Sequence, residues 1–583
     1  MKKKIKYFGL IVLMVGFTTW IVSLSQSRYR LSESIIKEQV NDSLKLHTLL
    51  KESEKLIDKN FSSNIKFVGQ IRNALKASNE SIVSSYSIPE NVATTLAQKS
   101  KLNGQWVYKS EAITSLTISE WQKKQLDDYT NWMEGKTYDQ ENALTEQLAS
   151  AISNINGQIK YQKGFDDYAM DNLTFWLTKK SSFGALPQHS WLYFFLSIGL
   201  IIIGSILYFY GDFAGATVGI KHNNIYHNAT TNVGWLGILV GVFMIGFYVV
   251  LYFYPEYLTN WVIMVDPLSR MLNGGEASHW FLYGFLYTLA VLVMGIRMFY
   301  KYRHNRYHLI RTGSVMFFQL AFAFIIPEIL IALNKPGYDF KNIWPLDYDF
   351  FYSYNLEQLM ASGALGWFML FWGLALVIVA VPLITYFLGK RWYCSWVCGC
   401  GGLAENLGDP YRQLSDKSLK AWKIERWLVH GVLVFAFVNT GAVLYTYFTE
   451  SYSLLGVQTS DIKTSYGFLI SSIFAGVVGT GFYPLMGNRV WCRFGCPLAA
   501  YLGIVQRFKS RFRITTNGGQ CISCGNCSTY CEMGIDVKWY AQRGQNIVRA
   551  SCVGCGVCSA VCPRGVLRLE NGKEQGRIGL AKF

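Results

Sequence analysis

Eight of the 13 cysteines fall into two copies of one spacing near the C-terminus. The segments "CISCGNCSTYC" at 521–531 and "CVGCGVCSAVCP" at 552–563 both follow the pattern Cys-x2-Cys-x2-Cys-x3-Cys. Thiols with such short spacings are typical metal ligands, because side chains from one tight loop can reach a common centre. The repeat therefore predicts two similar metal centres in one small domain.

Runs of this kind bind cubane iron–sulfur clusters, and each cluster takes three cysteines from one run and the fourth from the other. This rule assigns the first cluster to Cys521, Cys524, Cys527 and Cys562, and the second to Cys552, Cys555, Cys558 and Cys531. Structural zinc is the alternative, but zinc prefers paired Cys-x2-Cys units. We therefore predict two [4Fe–4S] clusters in a C-terminal α+β ferredoxin domain. One position departs from the full pattern, since Glu532 stands where a proline often follows the fourth cysteine.

Two further cysteine motifs lie next to apolar segments. The stretch "RWYCSWVCGC" contains Cys394, Cys398 and Cys400, and "RVWCRFGCP" contains Cys492 and Cys496. Each motif has two cysteines four residues apart, so on a helical turn their thiols share one face. Two such pairs on neighbouring helices offer four soft ligands to one centre. We call these five residues the membrane-edge thiols and predict that they hold a third cluster or a soft metal ion.

The elements that must position these thiols are membrane helices. Of the 583 residues 51% are hydrophobic, and they occur in long blocks instead of periodic faces. Blocks of about 20 apolar residues are long enough to cross a bilayer. We predict eight membrane-spanning helices near 6–24, 190–211, 233–254, 281–299, 313–333, 363–388, 427–448 and 465–486. The chain is therefore expected to be an α-helical polytopic membrane protein.

The distribution of charge predicts the topology. If the N-terminal "MKKKIK" lies inside, the short outer loops near 255–280, 334–362 and 449–464 contain few basic residues, whereas the inside segments are rich in lysine and arginine. This asymmetry follows the positive-inside rule. It predicts a cytoplasmic N-terminus and ferredoxin domain, with 25–188 outside the cytoplasm. It also accounts for the net charge of +17 without nucleic-acid binding.

These predictions divide the chain into six parts. They are a signal-anchor helix at 1–24, an extracytoplasmic helical domain at 25–188, a seven-helix membrane domain at 189–487, a second short cysteine motif with a basic linker at 488–515, the two-cluster ferredoxin domain at 516–575, and a tail at 576–583. The outer domain contains no cysteine, and its helical periodicity predicts a docking or sensing module for an unknown extracytoplasmic partner.

The combination of both short motifs with the ferredoxin repeat resembles membrane-bound polyferredoxins of the NapH/NosR/CcoG type, over roughly 313–570. The resemblance implies multi-helix membrane proteins with Cys-x3-Cys-Pro motifs at inner helix ends. Such proteins move electrons between the quinone pool or cytoplasmic donors and a respiratory partner, or support metalloenzyme assembly. The sequence departs from the family pattern at Gly399 and Cys400, which stand where proline is expected after Cys398. This departure indicates an extra or alternative ligand there.

Two ionisable residues in predicted spans are candidates for a quinone or proton site, because charged groups in a bilayer are costly and usually functional. His430 lies a little inside the seventh span, and Glu328 follows Pro327 in the fifth. A histidine near a helix end is also often satisfied at the interface, so both interpretations of His430 stay open. For Glu328 we predict a role in proton or quinone chemistry.

The sequence thus predicts an iron–sulfur electron-transfer protein in a bacterial inner membrane, surrounded by lipid, with a cytoplasmic electron donor or acceptor as partner. Whether it is an enzyme stays open, a subunit of an oxidoreductase being one form. One alternative is an assembly factor that takes up or reduces copper for a respiratory enzyme. Another is a redox sensor whose outer helices transmit the state of the clusters.

Overall fold

The computed structural model describes residues 2–102, 105–213, 234–449 and 453–571. The chain forms two compact units. One unit comprises Ser23–His189 and Pro255–Asn260, and the other, the membrane unit, contains the rest. The tail predicted at 576–583 lies outside the described residues.

Eight helices in the described part of the chain are long and apolar enough to cross a membrane, which confirms the predicted number. In chain order these spans are Lys2–Ser23, Ser190–Phe213, Trp235–Phe253, His279–Lys301, Arg306–Ala332, Ala364–Leu388, Leu419–Thr449 and Thr459–Gly481. The chain is therefore a mostly helical, multi-pass membrane protein.

Shorter elements connect the spans of the membrane unit. They are the helices Pro255–Leu258, Thr259–Asn273, Ser353–Ala361, Arg391–Cys394, Gly399–Asn406, Asp409–Leu414, Tyr483–Met486, Trp491–Gly495 and Pro497–Lys509, and the antiparallel strands Ser453–Leu454 and Val457–Gln458. The membrane-edge thiols lie on these short helices or directly beside them, after the sixth and eighth spans. None of the eight spans contains a cysteine.

Small residues let the first and second spans approach each other closely. A Cβ atom on Gly204 would lie 2.4 Å from the backbone nitrogen of Leu13, and one on Gly9 would lie 2.6 Å from that of Tyr208. Close backbone contact of this kind is a main source of helix association in lipid. An ion pair of 2.6 Å between Lys6 Nζ and Asp212 Oδ1 closes one end of the contact.

Part of the connection between the fifth and sixth spans folds back between helices. Trp344 Nε1 donates to Thr440 Oγ1 (2.9 Å), and Asn439 Nδ2 donates to Tyr352 Oη (3.0 Å), at positions well inside the seventh span. Trp372 of the sixth span donates to the Phe340 carbonyl (2.8 Å). Non-helical backbone is tolerated at this depth when it is buried in protein. The loop is therefore re-entrant.

The C-terminal part has the α+β structure expected of a ferredoxin domain. The strands Arg513–Thr516 and Leu567–Glu570 pair antiparallel, with Thr516 opposite Leu567, so they join the beginning and the end of the domain. Between them lie the short helices Gly518–Gln520, Asn526–Thr529, Val537–Gln542 and Val557–Ala560. The domain shares one hydrophobic cluster with the segments that carry the membrane-edge thiols.

The other unit is a helical domain with two small antiparallel sheets. Its helices are Glu33–Gln39, Ser43–Ser53, Asn64–Tyr86, Asn91–Lys99, Glu111–Thr114, Glu120–Thr130, Asn131–Met133, Glu141–Gln162, Asp167–Lys180 and Ala185–Gln188. One sheet has the order Asn60–Phe61, Arg28–Arg30, Ser182–Phe183, and the other has the order Lys101–Leu102, Gln105–Val107, Thr137–Tyr138.

The short segment Pro255–Asn260 after the third span belongs to this helical domain. Arg72 Nη2 lies 2.8 Å from Glu256 Oε1, and Asn260 Nδ2 donates to the Ser23 carbonyl (3.0 Å). The Glu256 side chain is fully buried, so its ion pair with Arg72 is essential to satisfy it. The segment and the domain therefore fold as one compact unit.

Candidate iron–sulfur centres

The structure brings together the first predicted set of four cysteines around one small cavity. This cavity, the first cavity, is lined by Cys521, Cys524, Cys527 and Cys562. Cys524 is exposed to solvent, and Lys538 and Arg564 also line the wall. Cys562 belongs to the second run. It reaches the first cavity because the domain folds the two runs onto each other.

The second predicted set of four cysteines lines a separate cavity. Here three thiols come from the second run and one comes from the first. This second cavity is formed by Cys531, Cys552, Cys555 and Cys558. Glu532 is also part of its wall and is fully buried. The two cavities thus reproduce the crossed arrangement that the spacing predicts, in which each run gives its fourth thiol to the other centre.

Backbone conformation repeats together with the cysteines. Left-handed φ angles occur at Ser523 (58°) and Gly525 (78°) in the first run, and at Gly554 (61°) and Gly556 (83°) at the equivalent positions of the second. Each run then enters a single helical turn, Asn526–Thr529 or Val557–Ala560. The left-handed residues curl the chain so that successive thiols point into one cavity.

The chemistry of these donors fits an iron–sulfur cluster. Burial raises the pKa of the Cys527 thiol to about 12 and that of Cys552 to about 11. Both thiols are therefore neutral at pH 7 unless a cation stabilises the thiolate, and binding of a metal displaces the proton. Four soft donors converge on each cavity, as a [4Fe–4S] cluster requires.

The membrane-edge thiols also come together. Cys394, Cys398, Cys492 and Cys496 are buried in one hydrophobic cluster, and Cys400 packs against it. A hydrogen bond from Cys400 lowers the pKa of Cys398, and the same bond raises the pKa of Cys400. The fifth cysteine therefore lies beside the predicted set of four.

The spacing of the sulfur atoms separates two kinds of metal site. No three of the 13 cysteines, all within the described ranges, have sulfurs within 4.8 Å of one another. In a tetrahedral site with metal–sulfur bonds of ~2.3 Å, ligand sulfurs lie ~3.8 Å apart. Thiolates on a cubane are farther apart because each binds a different iron. The membrane-edge thiols therefore fit a cluster better than a tetrahedral site for one ion.

A buried network of charges lies beside the second cavity. We call it the ion network; it consists of Glu405, Glu532, Arg311, Arg412 and Arg489. Arg412 Nη1 donates to Glu532 Oε2 (2.5 Å), and Arg489 Nη2 donates to Glu405 Oε1 (2.7 Å). Burial opposes the ionisation of Glu405, but the three guanidinium groups hold its pKa well below the ordinary value. The arginines pair with both carboxylates, yet burial keeps the pKa of Glu532 above its ordinary value.

Asp409 extends this network towards the fourth span. It accepts hydrogen bonds from Arg412 Nε (2.9 Å), Arg297 Nη1 (2.6 Å) and Lys301 Nζ (2.7 Å). Burial opposes the ionisation of Asp409, but these cations hold its pKa well below the usual range. Asp409, which lies between the sixth and seventh spans, is therefore paired with two cations of the fourth span.

Arg489 connects the membrane-edge thiols to the second cavity. Its Nη1 lies 3.5 Å from Cys492 Sγ and 3.2 Å from the Cys394 carbonyl oxygen. Its Nε lies 3.1 Å from Oε1 of Glu532, the residue that follows Cys531. One guanidinium group therefore contacts both candidate centres.

Three hydrogen bonds hold the second cysteine run against the membrane segments. Tyr307 Oη donates to the Gly554 carbonyl (2.8 Å), and Ser395 Oγ donates to that of Val553 (2.8 Å). Gln506 Nε2 donates to the carbonyl of Cys552 (2.8 Å). These bonds place the second cavity against the membrane segments.

Sequence reasoning missed the ion network, although two signals pointed to it. Glu532 stands out as the departure from the proline of the repeat. The positive-inside rule treats the basic residues of the inside segments as signals of topology. Arg412 and Arg489 belong to these segments, yet both are fully buried. The charges are thus structural as well as topological, and only their burial distinguishes the two roles.

The structure does not bring His430 and Glu328 together. His430 Nδ1 lies 2.6 Å from the Arg426 carbonyl oxygen of its own helix, and the ring lines a large cavity with Cys492. Glu328 accepts a hydrogen bond from Asn273 Nδ2 (2.5 Å). Glu328 lies 17 residues after Arg311 in the fifth span, which is about 25 Å along a helix. The two residues therefore occupy opposite ends of the membrane unit.

Comparison with known protein families identifies both kinds of cysteine motif. A family model described as a 4Fe-4S binding domain matches residues 368–418 and 466–515, which include the membrane-edge thiols. A model described as a 4Fe-4S dicluster domain matches residues 520–567. The second match confirms the prediction of two [4Fe–4S] clusters.

Curated relatives are similar to part of the chain. The chain is 28% identical over 174 residues to the Escherichia coli protein YccM, described as an electron transport protein, and covers 46% of it. It is 28% identical to the methylamine utilization ferredoxin-type protein MauN of Methylobacillus flagellatus and 26% identical to the ferredoxin-type protein NapH of Haemophilus influenzae. The alignments cover 54% of both proteins and 27% of this chain.

The chain thus spans about half the length of the curated relatives it matches. No solved structure matches it. The resemblance predicted from the cysteine motifs is confirmed, because the two matched domains include all the thiol-bearing segments and the relatives are ferredoxin-type or electron transport proteins. The chain is therefore similar to ferredoxin-type proteins such as NapH and MauN, and its matched domains support two [4Fe–4S] clusters.

Proposed function

We propose that the protein is a membrane-bound electron relay. It would pass electrons between the quinone pool or a cytoplasmic donor and a respiratory or metalloenzyme partner. The observation that carries this proposal is the contact of one side chain, Arg489, with both Cys492 and Glu532 beside the second cavity. Two cavities and the membrane-edge thiols then follow one another from the protein surface to the spans.

The eight ferredoxin cysteines would hold two clusters in the crossed sets that line the two cavities. When bound, each [4Fe–4S] cluster accepts and releases single electrons. The chain itself holds the thiols in place, buries the second cavity and leaves Cys524 of the first cavity exposed. This exposure supports the first cavity as the point of exchange with a soluble redox partner.

The membrane-edge thiols would hold a third cluster on Cys394, Cys398, Cys492 and Cys496, with Cys400 as an alternative ligand. Their burial in one apolar cluster supports this assignment. A single copper ion held by two of these thiols is the alternative that the iron content distinguishes. No observation on the described residues favours the redox-sensor alternative.

The proposed location is the bacterial inner membrane, with the N-terminus and the ferredoxin domain in the cytoplasm. The positive-inside asymmetry of the loops supports this orientation. It would place the helical domain, with Pro255–Asn260, outside the cytoplasm, where it could meet an extracytoplasmic partner. Protease digestion of right-side-out and inverted vesicles tests this orientation, since only right-side-out vesicles should lose the helical domain.

Iron and sulfide quantification with EPR, carried out without oxygen, tests the relay. We expect about twelve iron atoms per chain in the wild type and about eight after replacement of Cys394, Cys398, Cys492 and Cys496 by serine. The matched control is Cys400→Ser, which should keep about twelve if this thiol is not a ligand. A wild type with about eight iron atoms would remove the third cluster from the proposal.

A further inference from the structure

A large cavity lies beside the beginning of the seventh span, apart from the two small cysteine cavities. Its volume is about 1150 Å³. Its walls come from the seventh span, from the helix Pro497–Lys509 and from the ferredoxin domain. This volume exceeds the usual range for a small cofactor, about 300–1,000 Å³. The cavity therefore has room for part of a larger ligand.

Positive charge dominates the polar wall of this cavity. Six cationic residues line it, namely Lys390, Lys417, Arg426, Arg493, Arg507 and Arg549. The lining carboxylates are Glu425 and Asp536. Glu425 pairs with Arg493 Nε (2.6 Å), and Asp536 accepts from Ser528 Oγ (2.7 Å). The excess of positive charge indicates an anionic ligand.

One of these cations has an unused donor that points to a ligand. The Arg493 side chain is only 3% exposed, yet its Nη2 has no hydrogen-bond partner among the described residues. A buried donor that is left unpaired is energetically costly. A negatively charged group in the cavity would satisfy it.

An indole ring holds two further guanidinium groups at the cavity wall. Arg426 Cζ lies 5.3 Å from the centre of the Trp422 ring, and Arg549 Cζ lies 5.0 Å from it. Cation–π contacts of this kind orient guanidinium groups without neutralising them. The two charges therefore remain available to an anion.

The remaining wall is apolar and continues towards the lipid. Val429, Ala500 and Ile504 line it, and Phe508, a further lining residue, is 76% exposed. Exposed aromatic side chains are typical of the membrane–water interface. A ligand here would thus contact charge at one end and hydrocarbon at the other.

We propose that this cavity binds the headgroup of an anionic phospholipid, with its acyl chains along Val429 and Ile504. Basic pockets between membrane helices are suited to such headgroups. A quinone has a neutral head and would leave the cationic wall uncompensated, and a free phosphate would not use the apolar wall. Because Cys492 also lines the cavity, the lipid would shield the membrane-edge thiols from water.

Quenching of tryptophan fluorescence by brominated lipid tests this site on the full-length protein in detergent. Brominated phosphatidylglycerol should quench more strongly than brominated phosphatidylcholine. The double variant Trp422→Phe/Trp539→Phe, which replaces both tryptophans of the cavity wall, should remove the difference. The double variant Arg426→Gln/Arg549→Gln should weaken the binding of phosphatidylglycerol roughly 30-fold, since each charge near the surface contributes about 1 kcal/mol. Iron content verifies that the variants are folded.

Arg543→Gln is the matched control. Arg543 also stacks on an indole ring, 4.1 Å from the centre of Trp539, but it does not line the cavity. This variant should bind phosphatidylglycerol like the wild type. Equal quenching by the two lipids, or equal loss of binding in the control, would overturn the proposal.

Competition distinguishes the other sources of a ligand. Displacement of phosphatidylglycerol by inorganic phosphate alone would identify a site for a free anion, and displacement by a short-chain quinone would identify a quinone site. Either result would overturn the phospholipid assignment. Evidence against the electron relay would not contradict the phospholipid proposal, because that proposal rests on the charge and shape of the cavity.

Discussion

The two cysteine cavities have nearly the same local structure and very different surroundings. Both use four crossed thiols and left-handed residues at equivalent positions. The first cavity has the exposed Cys524 in its wall, whereas the second has the buried Glu532 of the ion network. The comparison teaches that the repeat determines how the thiols are grouped, while the surrounding contacts leave a thiol of the first cavity exposed and bury the wall of the second.

The glycines show the same difference. A Cβ atom on Gly525 would meet nothing within 4 Å, whereas one on Gly556 would lie 2.8 Å from Tyr307 Cε1. At the neighbouring position the first run has Ser523, and the second has Gly554, where a Cβ atom would lie 2.6 Å from that of Arg391. The second run therefore needs glycine for space as well as for its left-handed φ.

The largest expected effect comes from removing the central cation of the ion network. Arg412→Leu leaves Glu405, Asp409 and Glu532 partly unpaired in the interior, so it should destabilise the protein by about 3–5 kcal/mol. Arg564→Leu, at the exposed wall of the first cavity, should cost less than about 0.5 kcal/mol. Urea titration of the cluster absorbance in detergent measures both. Equal urea midpoints for the two variants would contradict the difference between the buried and the exposed cavity wall.

A smaller effect is expected at the paired glycines. Gly525→Ala should cost about 1–2 kcal/mol, because alanine disfavours the left-handed conformation. Gly556→Ala should cost a further 1–3 kcal/mol, roughly, because its methyl group collides with Tyr307. The same urea titration applies. Combining Gly556→Ala with Tyr307→Ala should remove the extra cost, and a double variant that is merely additive would contradict the steric explanation.

The smallest expected effect is a change in reduction potential. It can be measured separately for each of the two centres. Burial raises the pKa of the Cys531 thiol, and the nearby charge of Lys417 opposes this rise. Lys538 lines the first cavity. Removal of a positive charge disfavours the reduced, more negative cluster. Lys417→Gln should therefore lower only the second potential and Lys538→Gln only the first, each by about 59 mV or less.

EPR-monitored redox titration resolves the two signals. Each lysine variant serves as the control for the other, because both replacements remove one positive charge from the same domain. If both variants lowered the same signal, the assignment of the lysines to separate centres would be wrong.

Much of the fold could be predicted because it depends on local patterns. The eight spans follow from the lengths of apolar blocks, and each block needs only lipid around it. The re-entrant loop could not be predicted in this way, because its contacts join Trp344 to Thr440, far apart in the chain. Its aromatic residues have the same composition as an interfacial loop.

Some features of the candidate centres could likewise be predicted from local patterns, whereas others depend on the tertiary structure. By itself the sequence determined the two crossed sets of thiols, since short Cys-x2-Cys spacings act within one turn of chain. Only the tertiary structure decided that Glu532 faces Arg412 and Arg489 and that Cys492 lies beside the same arginine. The physical reason is that burial of a charge depends on partners from distant segments, and no local pattern records which segments meet.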